Sequence, residues 1–333
     1  MKRIVMLLGM LVLLMGCGSK EKEGNENGVT KLVVSLQAVP ADAHAVAMDK
    51  FKEIVEKETK GSVIIEIHGA SSMMTQDAEV PAIMRGNIDM MEISPQQVAE
   101  YLPSLSMLTA GYFWSNYDHM NNTLNGEIGE EIFDKVAEKM GARPLAAIYL
   151  GSRVINLRDS KGVKTPEDLK GVKLRMPNTP EWLYLGKALG ANPTPLAFSE
   201  LYLSLKTGTV DGQDNPLPTV KNAKFYEVTK SISLTNHVID SVWITINEKK
   251  WEKLSKENQE IIVKAAKDAA KIGSELNIKR ESELVSFFEE KGLTIVNPDL
   301  DAFKTKAEQM YLGNKDFTSK WDMELYKRIQ ENK

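Results

Sequence analysis

Residues 31–36 form a β-rich apolar run, and residues 42–60 then place Ala43, Ala47, Phe51, Ile54 and Val55 on one helical face. Gly61 stops that helix. A second strand is predicted over 62–68, a short helix over 77–85 closed by Gly86, and a third strand over 88–93. Strands and helices in that alternation predict a parallel, doubly wound α/β sheet. Gln37, Asp77 and Ser94 each follow a strand or lie shortly after one, which brings them to one sheet edge.

The next stretch, 95–117, is apolar and irregular, with Tyr101, Tyr112, Phe113, Trp114 and Tyr117. It reads as core and loop packing, with a pocket wall or a docking surface as the sharper alternative. Residues 126–140 are amphipathic through Ile128, Ile132, Phe133 and Val136. Two strand-like runs, 142–150 and 153–157, flank Gly151 as a bend or crossing. Near the carboxyl end, 231–234 and 241–246 read as strands. Residues 255–291 hold helical periodicity, interrupted only by Gly273, long enough to bridge two lobes. A last strand is predicted over 293–296, and polar helices finish the chain.

The densest signals lie between 169 and 217. Residues 172–174 are a short strand after a turn glycine, with Arg175 at its carboxyl end. Met176 precedes a proline and is held out of the helical region. Thr179-Pro180-Glu181 starts a helix, with a capping hydroxyl, proline at the first position and an acid in the first turn; Gly190 ends it. Ser199 is placed to cap a second helix that stops near Gly208. The run Val210-Asp-Gly-Gln-Asp-Asn-Pro is turn-rich and is expected to leave Asn215 on a loop. A charged fork, a carboxamide and an aromatic face (Arg175, Asn215, Phe198) thus gather at element ends, where open α/β sheets bind ligands.

Length allows two domains or one large one, and composition is ordinary for a soluble protein. The net charge is −4. Without the leader the balance is 40 basic against 46 acidic residues, which argues against a general nucleic-acid surface. The leader comprises Lys2-Arg3, an apolar run over 4–15, and Gly16-Cys17. Twelve such positions are too few to span a bilayer. Leu14-Met15-Gly16-Cys17 resembles a bacterial lipobox, in which the cysteine is acylated. Residues 1–16 are therefore expected to be a signal peptide, and 17–28 a flexible tether lipidated at Cys17 on the outer face of the cytoplasmic membrane. With a single cysteine, no intrachain disulfide can form.

The central stretch resembles the solute-binding protein of tripartite ATP-independent periplasmic (TRAP) transporters, the DctP family. The residues that carry the likeness are Lys173-Leu-Arg-Met-Pro, Val210-Asp-Gly-Gln-Asp-Asn-Pro, Lys224-Phe-Tyr-Glu-Val and Leu234-Thr-Asn-His. It is dense over about 70 residues and diffuse elsewhere. The resemblance implies two α/β lobes of the periplasmic-binding-protein kind. Each would be a sheet flanked by helices, and hinge strands and a long helix would join them. Lobe I would hold 29–152 and 241–280, and lobe II 153–240 and 281–333. It further implies a monomeric receptor that passes a small organic acid to membrane permease subunits.

In that family the strand-end arginine holds the substrate carboxylate, which falls here on Arg175. A planar guanidinium matches a carboxylate with two parallel bonds. Arg153 corresponds to a second ligand-facing arginine of the sialic-acid binders, with slightly longer spacing here. Asn178 and Asn215 are expected to hydrogen-bond the ligand, and Phe198 to cover its apolar face. Asp77 falls where sugar-acid binders place a hydroxyl acceptor. Gln37 stands where sialic-acid binders have asparagine. Ser94 stands where they have glutamate, unless a small gap moves Glu92 there. These departures favour a uronate or another sugar acid; sialic acid and a C4-dicarboxylate stay open.

Enzyme signals are absent from the sequence. The four histidines (His44, His68, His119, His237) are scattered without metal-ligand spacing. No phosphate-binding, dinucleotide-binding or nucleophile-elbow motif occurs. Neither a cofactor nor a metal is expected. Two readings from other classes remain at this stage: a receptor presenting ligand to a sensor kinase, and a hydrolase on a binding-protein fold.

Overall fold

The computed structural model describes residues 28–333, so the leader, Cys17 and most of the predicted tether lie outside the described residues. The chain opens as β1 (Thr30–Ser35), α1 (Ala43–Glu58), β2 (Val63–His68), α2 (Gln76–Arg85) and β3 (Met90–Ile93). β1 pairs parallel with both β2 and β3, the doubly wound start that the alternation predicts. Gly86 takes the left-handed conformation and closes α2.

The stretch after β3 is more regular than its composition suggests. α3 (Pro95–Tyr101) begins with a capping box, in which Ser94 accepts from the Gln97 amide and Gln97 reaches back. A 3-10 turn (Pro103–Thr109) follows, then α4 (Tyr117–Leu124) capped by Asn116, and α5 (Glu127–Met140). β4 (Ala142–Leu157) is one continuous strand where two were expected. Gly151 is a bend inside it: φ is +121° and the register shifts there. A Cβ at Gly151 would sit 2.5 Å from the Pro216 side chain, so glycine is required.

The second half contains β5 (Lys173–Met176), α6 (Pro180–Ala188), β6 (Asn192–Pro195), α7 (Leu201–Thr207), β7 (Gly212–Pro216), α8 (Leu217–Asn222) and β8 (Ser231–Ser233). β6 escapes a sequence reading because it contains Pro193 and Pro195, and prolines in strands belong at sheet edges. α7 starts at Leu201 with no side-chain cap, so Ser199 does not cap it. Asn215 is not on a loop. It lies in β7, paired with Val154 of β4, and β7 is held on its other side by β5. That pairing overrides the turn-forming residues of 211–216.

β9 (Ile239–Asn247) returns antiparallel between β3 and β4, which gives the sheet order β2-β1-β3-β9-β4-β7-β5-β6. The sheet is therefore mixed rather than fully parallel. After α9 (Glu248–Glu252), α10 (Lys256–Glu290) runs 35 residues, about 52 Å at 1.5 Å per residue. Its first part packs Ala265 and Ala269 with Phe51 and Val55 of α1; its last part packs Leu284 and Phe288 with Leu201 and Phe225. Gly273 permits the close approach of α1, because a Cβ there would lie 2.8 Å from Ala47 Cβ. β10 (Thr294–Val296), α11 (Leu300–Gly313), α12 (Lys315–Thr318) and α13 (Met323–Glu331) complete the chain.

The architecture is a two-lobed α/β fold in which β4, β9 and α10 run between two sheet-and-helix halves. Residues 281–333, expected with 153–240, divide their packing between the halves. Phe303 buries against Leu174 and Trp182, whereas Leu325 and Ile329 bury with Phe113, Trp114 and Met120.

Candidate ligand-binding site

Arg175 is the third residue of β5. Its neighbours Leu174 and Met176 point into apolar core, so strand alternation sends Arg175 to the other face. The side chain is 1 % exposed. Nε donates to the Leu196 carbonyl at 2.9 Å, but Nη2 is buried with no partner among the described residues. Burial pushes the guanidinium down to about 10; the Asp214 charge opposes this, Arg153 reinforces it and Asp77 opposes it. The Phe198 ring lies 6.0 Å from the Arg175 guanidinium carbon.

Arg153 is also buried, but its fork is occupied. Nε donates to Asp214 Oδ2 at 2.8 Å and Nη1 to Asp240 Oδ2 at 2.7 Å. Nη2 donates to the Asp214 carbonyl at 2.6 Å and to Asn215 Oδ1 at 3.1 Å. The guanidinium stacks over Trp182 at 4.2 Å. Burial opposes ionisation of Asp214, yet Arg153 and His237 outweigh it and hold Asp214 below the usual carboxylate range. Asn215 donates to Gln213 Oε1 at 2.5 Å, so both ends of its amide are engaged within the protein.

Both arginines line one cavity between the lobes. Its opposite wall is acidic and comes from α1, α2 and β3. His44 Nδ1 contacts Glu92 Oε2 at 2.6 Å, and Glu92 Oε1 is buried without a partner. Burial disfavours charge on His44, but the Glu92 charge and hydrogen bond, with Asp42 and Asp240 behind them, raise it to about 9. Glu79 is 2 % exposed and accepts from Ser35 at 2.7 Å. Burial lifts Glu79 to about 8 against the hydrogen bonds of Ser35 and Gln37, so it is a neutral acid at pH 7.

Gln37, Ser94, Arg153, Arg175, Phe198 and Asn215 all line this cavity. Gln37 is partly engaged, accepting from Ser71 and donating to the Met74 carbonyl at 3.3 Å. Ser94 Oγ accepts from the Gln97 amide in the α3 cap and keeps its O–H free to donate, while Glu92 Oε1 on β3 is uncommitted. Asp77 and Asn178 are exposed and stand outside the cavity wall. Two residues along a helix amount to a turn of about 200°, so Asp77 and Glu79 leave α2 on different sides, although the Asp77 charge still reaches Arg175. Asn178 lies in the turn before α6, where Pro177 takes the wall position.

Sequence reasoning missed His44 and Glu79. For Glu79 a signal existed: it sits four residues before Ile83 on the stripe that α2 buries. For His44 there was none, because its partner Glu92 is 48 residues away. Among the described residues no group of three or more His, Cys, Asp or Glu side chains is placed to hold a metal ion.

The halves also touch at the cavity rim. Asn222 of α8 donates to Asp42 Oδ1 at 2.8 Å, and Arg280 of α10 donates to the Ala41 carbonyl at 2.6 Å.

The His44–Glu92 pair makes a pH prediction. A histidine raised to about 9 stabilises the fold fully below its unfolded value near 6.5, and that stability is lost as pH rises through 9. A nuclear magnetic resonance titration should show the His44 ring protonated up to about pH 9, and Glu92→Gln should bring its midpoint below 7. A wild-type midpoint near 6.5 would refute the pair.

Comparison with known proteins places this geometry. The family described as bacterial extracellular solute-binding protein, family 7 (DctP) matches residues 37–316. The sialic acid-binding periplasmic protein SiaP of Vibrio cholerae is 30% identical over 293 residues, covering 88% of this chain and 90% of that protein. A TRAP periplasmic solute-binding protein from Roseobacter denitrificans, solved with bound 3-deoxy-D-manno-oct-2-ulosonic acid, is 41% identical with a TM-score of 0.87, covering 92% of this chain and 100% of that one. Another from Roseobacter denitrificans, with bound β-D-glucuronate, is 27% identical with a TM-score of 0.84, covering 90% and 99%. The chain therefore belongs to the DctP family of bacterial extracellular solute-binding proteins, a family of TRAP transporter receptors and not of enzymes.

Proposed function

We propose that the protein captures a sugar acid, with a uronate favoured, in the cavity between its lobes and delivers it as a monomer to a TRAP permease. One observation carries this reading. Two buried polar atoms without partners, Arg175 Nη2 and Glu92 Oε1, belong to opposite walls of the same cavity. The first calls for an anion and the second for a hydrogen-bond donor. A carboxylate bearing hydroxyl groups supplies both. A C4-dicarboxylate fits less well, since its second carboxylate would meet Asp42 and Glu92. The relatives with bound glucuronate and octulosonic acid bind ligands of the favoured class.

The residues take distinct roles in this reading. Arg175 holds the carboxylate, Phe198 covers the adjoining carbons, and Glu92, Gln37 and neutral Glu79 meet hydroxyls. Arg153 and Asn215 keep at most a single N–H each for the ligand and act mainly by shaping the wall. The ligand bonds both lobes and so favours the closed arrangement, with Asn222 and Arg280 adding contacts that form on closure. Asp77 and Asn178 stay at the margin, where an ordered water could extend their reach to the ligand.

Thermal unfolding of the chain without residues 1–28 against uronates, aldonates, octulosonate, sialic acid, malate and succinate tests the class. A ligand at 100 times its dissociation constant stabilises by roughly 2.7 kcal/mol. In Arg175→Ala the binding of that ligand should weaken about 10²- to 10⁴-fold, the loss of two charge-assisted bonds, with the fold intact. Near-wild-type affinity in Arg175→Ala would overturn the carboxylate assignment.

The sequence Leu14-Met15-Gly16-Cys17 supports a lipid anchor at Cys17 that tethers the receptor to the outer face of the cytoplasmic membrane. Labelled palmitate should enter the full chain and not Cys17→Ala. Failure to label the wild type, in cells that label another lipoprotein, would refute the anchor.

A further inference from the structure

β4 and β9 pair across the middle of the molecule, with Gly151 opposite Asp240 and Ser152 opposite Ile239. Side chains along a strand alternate between faces. Arg153 and Asp240 line the sugar-acid cleft. Ser152 and Ile239, one position away, line a second cavity of about 670 Å³ on the opposite face of the same strands. The other walls come from the loop at 110–115, the turn at 235–236, α11 and α13.

This second cavity is aromatic on one side. Phe113 packs edge-on against Trp114 with centroids 4.8 Å apart, and Trp321 stacks on Tyr326 at 5.9 Å. Two of its wall residues carry buried donors that meet no acceptor among the described residues: the Tyr311 O–H, on a side chain 3 % exposed whose oxygen lies beside the Gly111 amide, and Trp321 Nε1. Folded proteins leave few such groups unpaired, and two on one wall call for an acceptor from outside the chain. Lys304 is an exposed cation on the same wall. Two further wall residues hold a left-handed backbone: Tyr112 at φ +62° and Asn236 at +45°. A bulky residue in that region is strained, and such strain collects at ligand sites. The Tyr112 amide donates to the His237 carbonyl at 2.8 Å and its hydroxyl to the Thr235 carbonyl at 3.1 Å, which fixes the strained loop to the turn.

We propose that this cavity is a second small-molecule site, behind the connecting strands, for a small aromatic anion. The ring would lie against Phe113, Trp114 and Tyr326. Its acidic oxygens would accept from Trp321 and Tyr311 and face Lys304. Glu308, four residues from Lys304 on α11, restricts the ligand to a single negative charge. α11 is held on one side through Phe303, packed with Leu174 and Trp182, and on the other through Tyr311, which buries with Leu325 and Ile329 of α13.

The test is a fluorescence titration of the full chain with 1-anilinonaphthalene-8-sulfonate, an aromatic monoanion. Binding should saturate with one site per chain. Trp321→Phe, which removes the N–H donor and keeps a smaller aromatic ring beside Tyr326, should weaken it about twofold to tenfold. Lys304→Glu, at an exposed position, should weaken it at least as much while leaving the unfolding temperature unchanged. Arg175→Ala should bind the dye as the wild type does, which separates this site from the front cleft. Unsaturable binding, loss of binding in Arg175→Ala, or full binding in both Trp321→Phe and Lys304→Glu would overturn the proposal.

Discussion

Two buried arginines with unequal partners organise this protein. Arg153 is neutralised twice, by Asp214 and Asp240, and those three residues tie β4, β7 and β9 together at the point where the lobes meet. Asp240 has one Arg153 N–H and the Ser241 amide for company, and burial pushes it up; Asp214, with Arg153 and His237, goes the other way. Among the described residues Arg175 bonds only the Leu196 carbonyl, and its Nη2 has no partner. A buried cation left in that state costs free energy until an anion arrives. The first arginine stiffens the frame, and the second stays available because Asp214 is already taken.

The opposite wall gives the ligand its second requirement. An arginine alone would accept any small carboxylate. Glu92 keeps one oxygen uncommitted because His44 occupies the other, and Glu79 stays neutral through burial. A cation on one lobe and hydroxyl-seeking oxygens on the other make the ligand the bridge between them. In the proposed reading, specificity and closure come from the same contacts. In the proposed reading, Asp42 and Glu92 on this wall disfavour a second carboxylate, offset in part by the protonated His44.

How much of this could be read from the chain depends on the distance between partners. The strand ending in Arg175, the Thr179-Pro180 helix start and the long α10 rest on neighbours in sequence, and the structure has all three. Asn215 was misplaced onto a loop because Asp, Gly and Asn signal turns locally, whereas the pairing that makes β7 a strand comes from β4, some 60 residues earlier. The antiparallel β9 was invisible as a neighbour of β3 for the same reason. Arg153 looked like a free ligand-facing arginine, since nothing near it in sequence announces Asp214 or Asp240. Asp77 and Glu79 differ only by helix phase, which depends on the side of α2 that the core claims.

The central claim is that one end of the ligand is recognised as a carboxylate by Arg175 and the other as hydroxyls by the acidic wall. It is tested most directly by calorimetric titration of wild-type protein with a uronate and with the hexose that lacks only its carboxylate. The account predicts that the uronate binds and that the hexose binds at least about 100-fold more weakly, the loss of roughly 2.7 kcal/mol from the arginine contact. Equal affinity for the two sugars would contradict it.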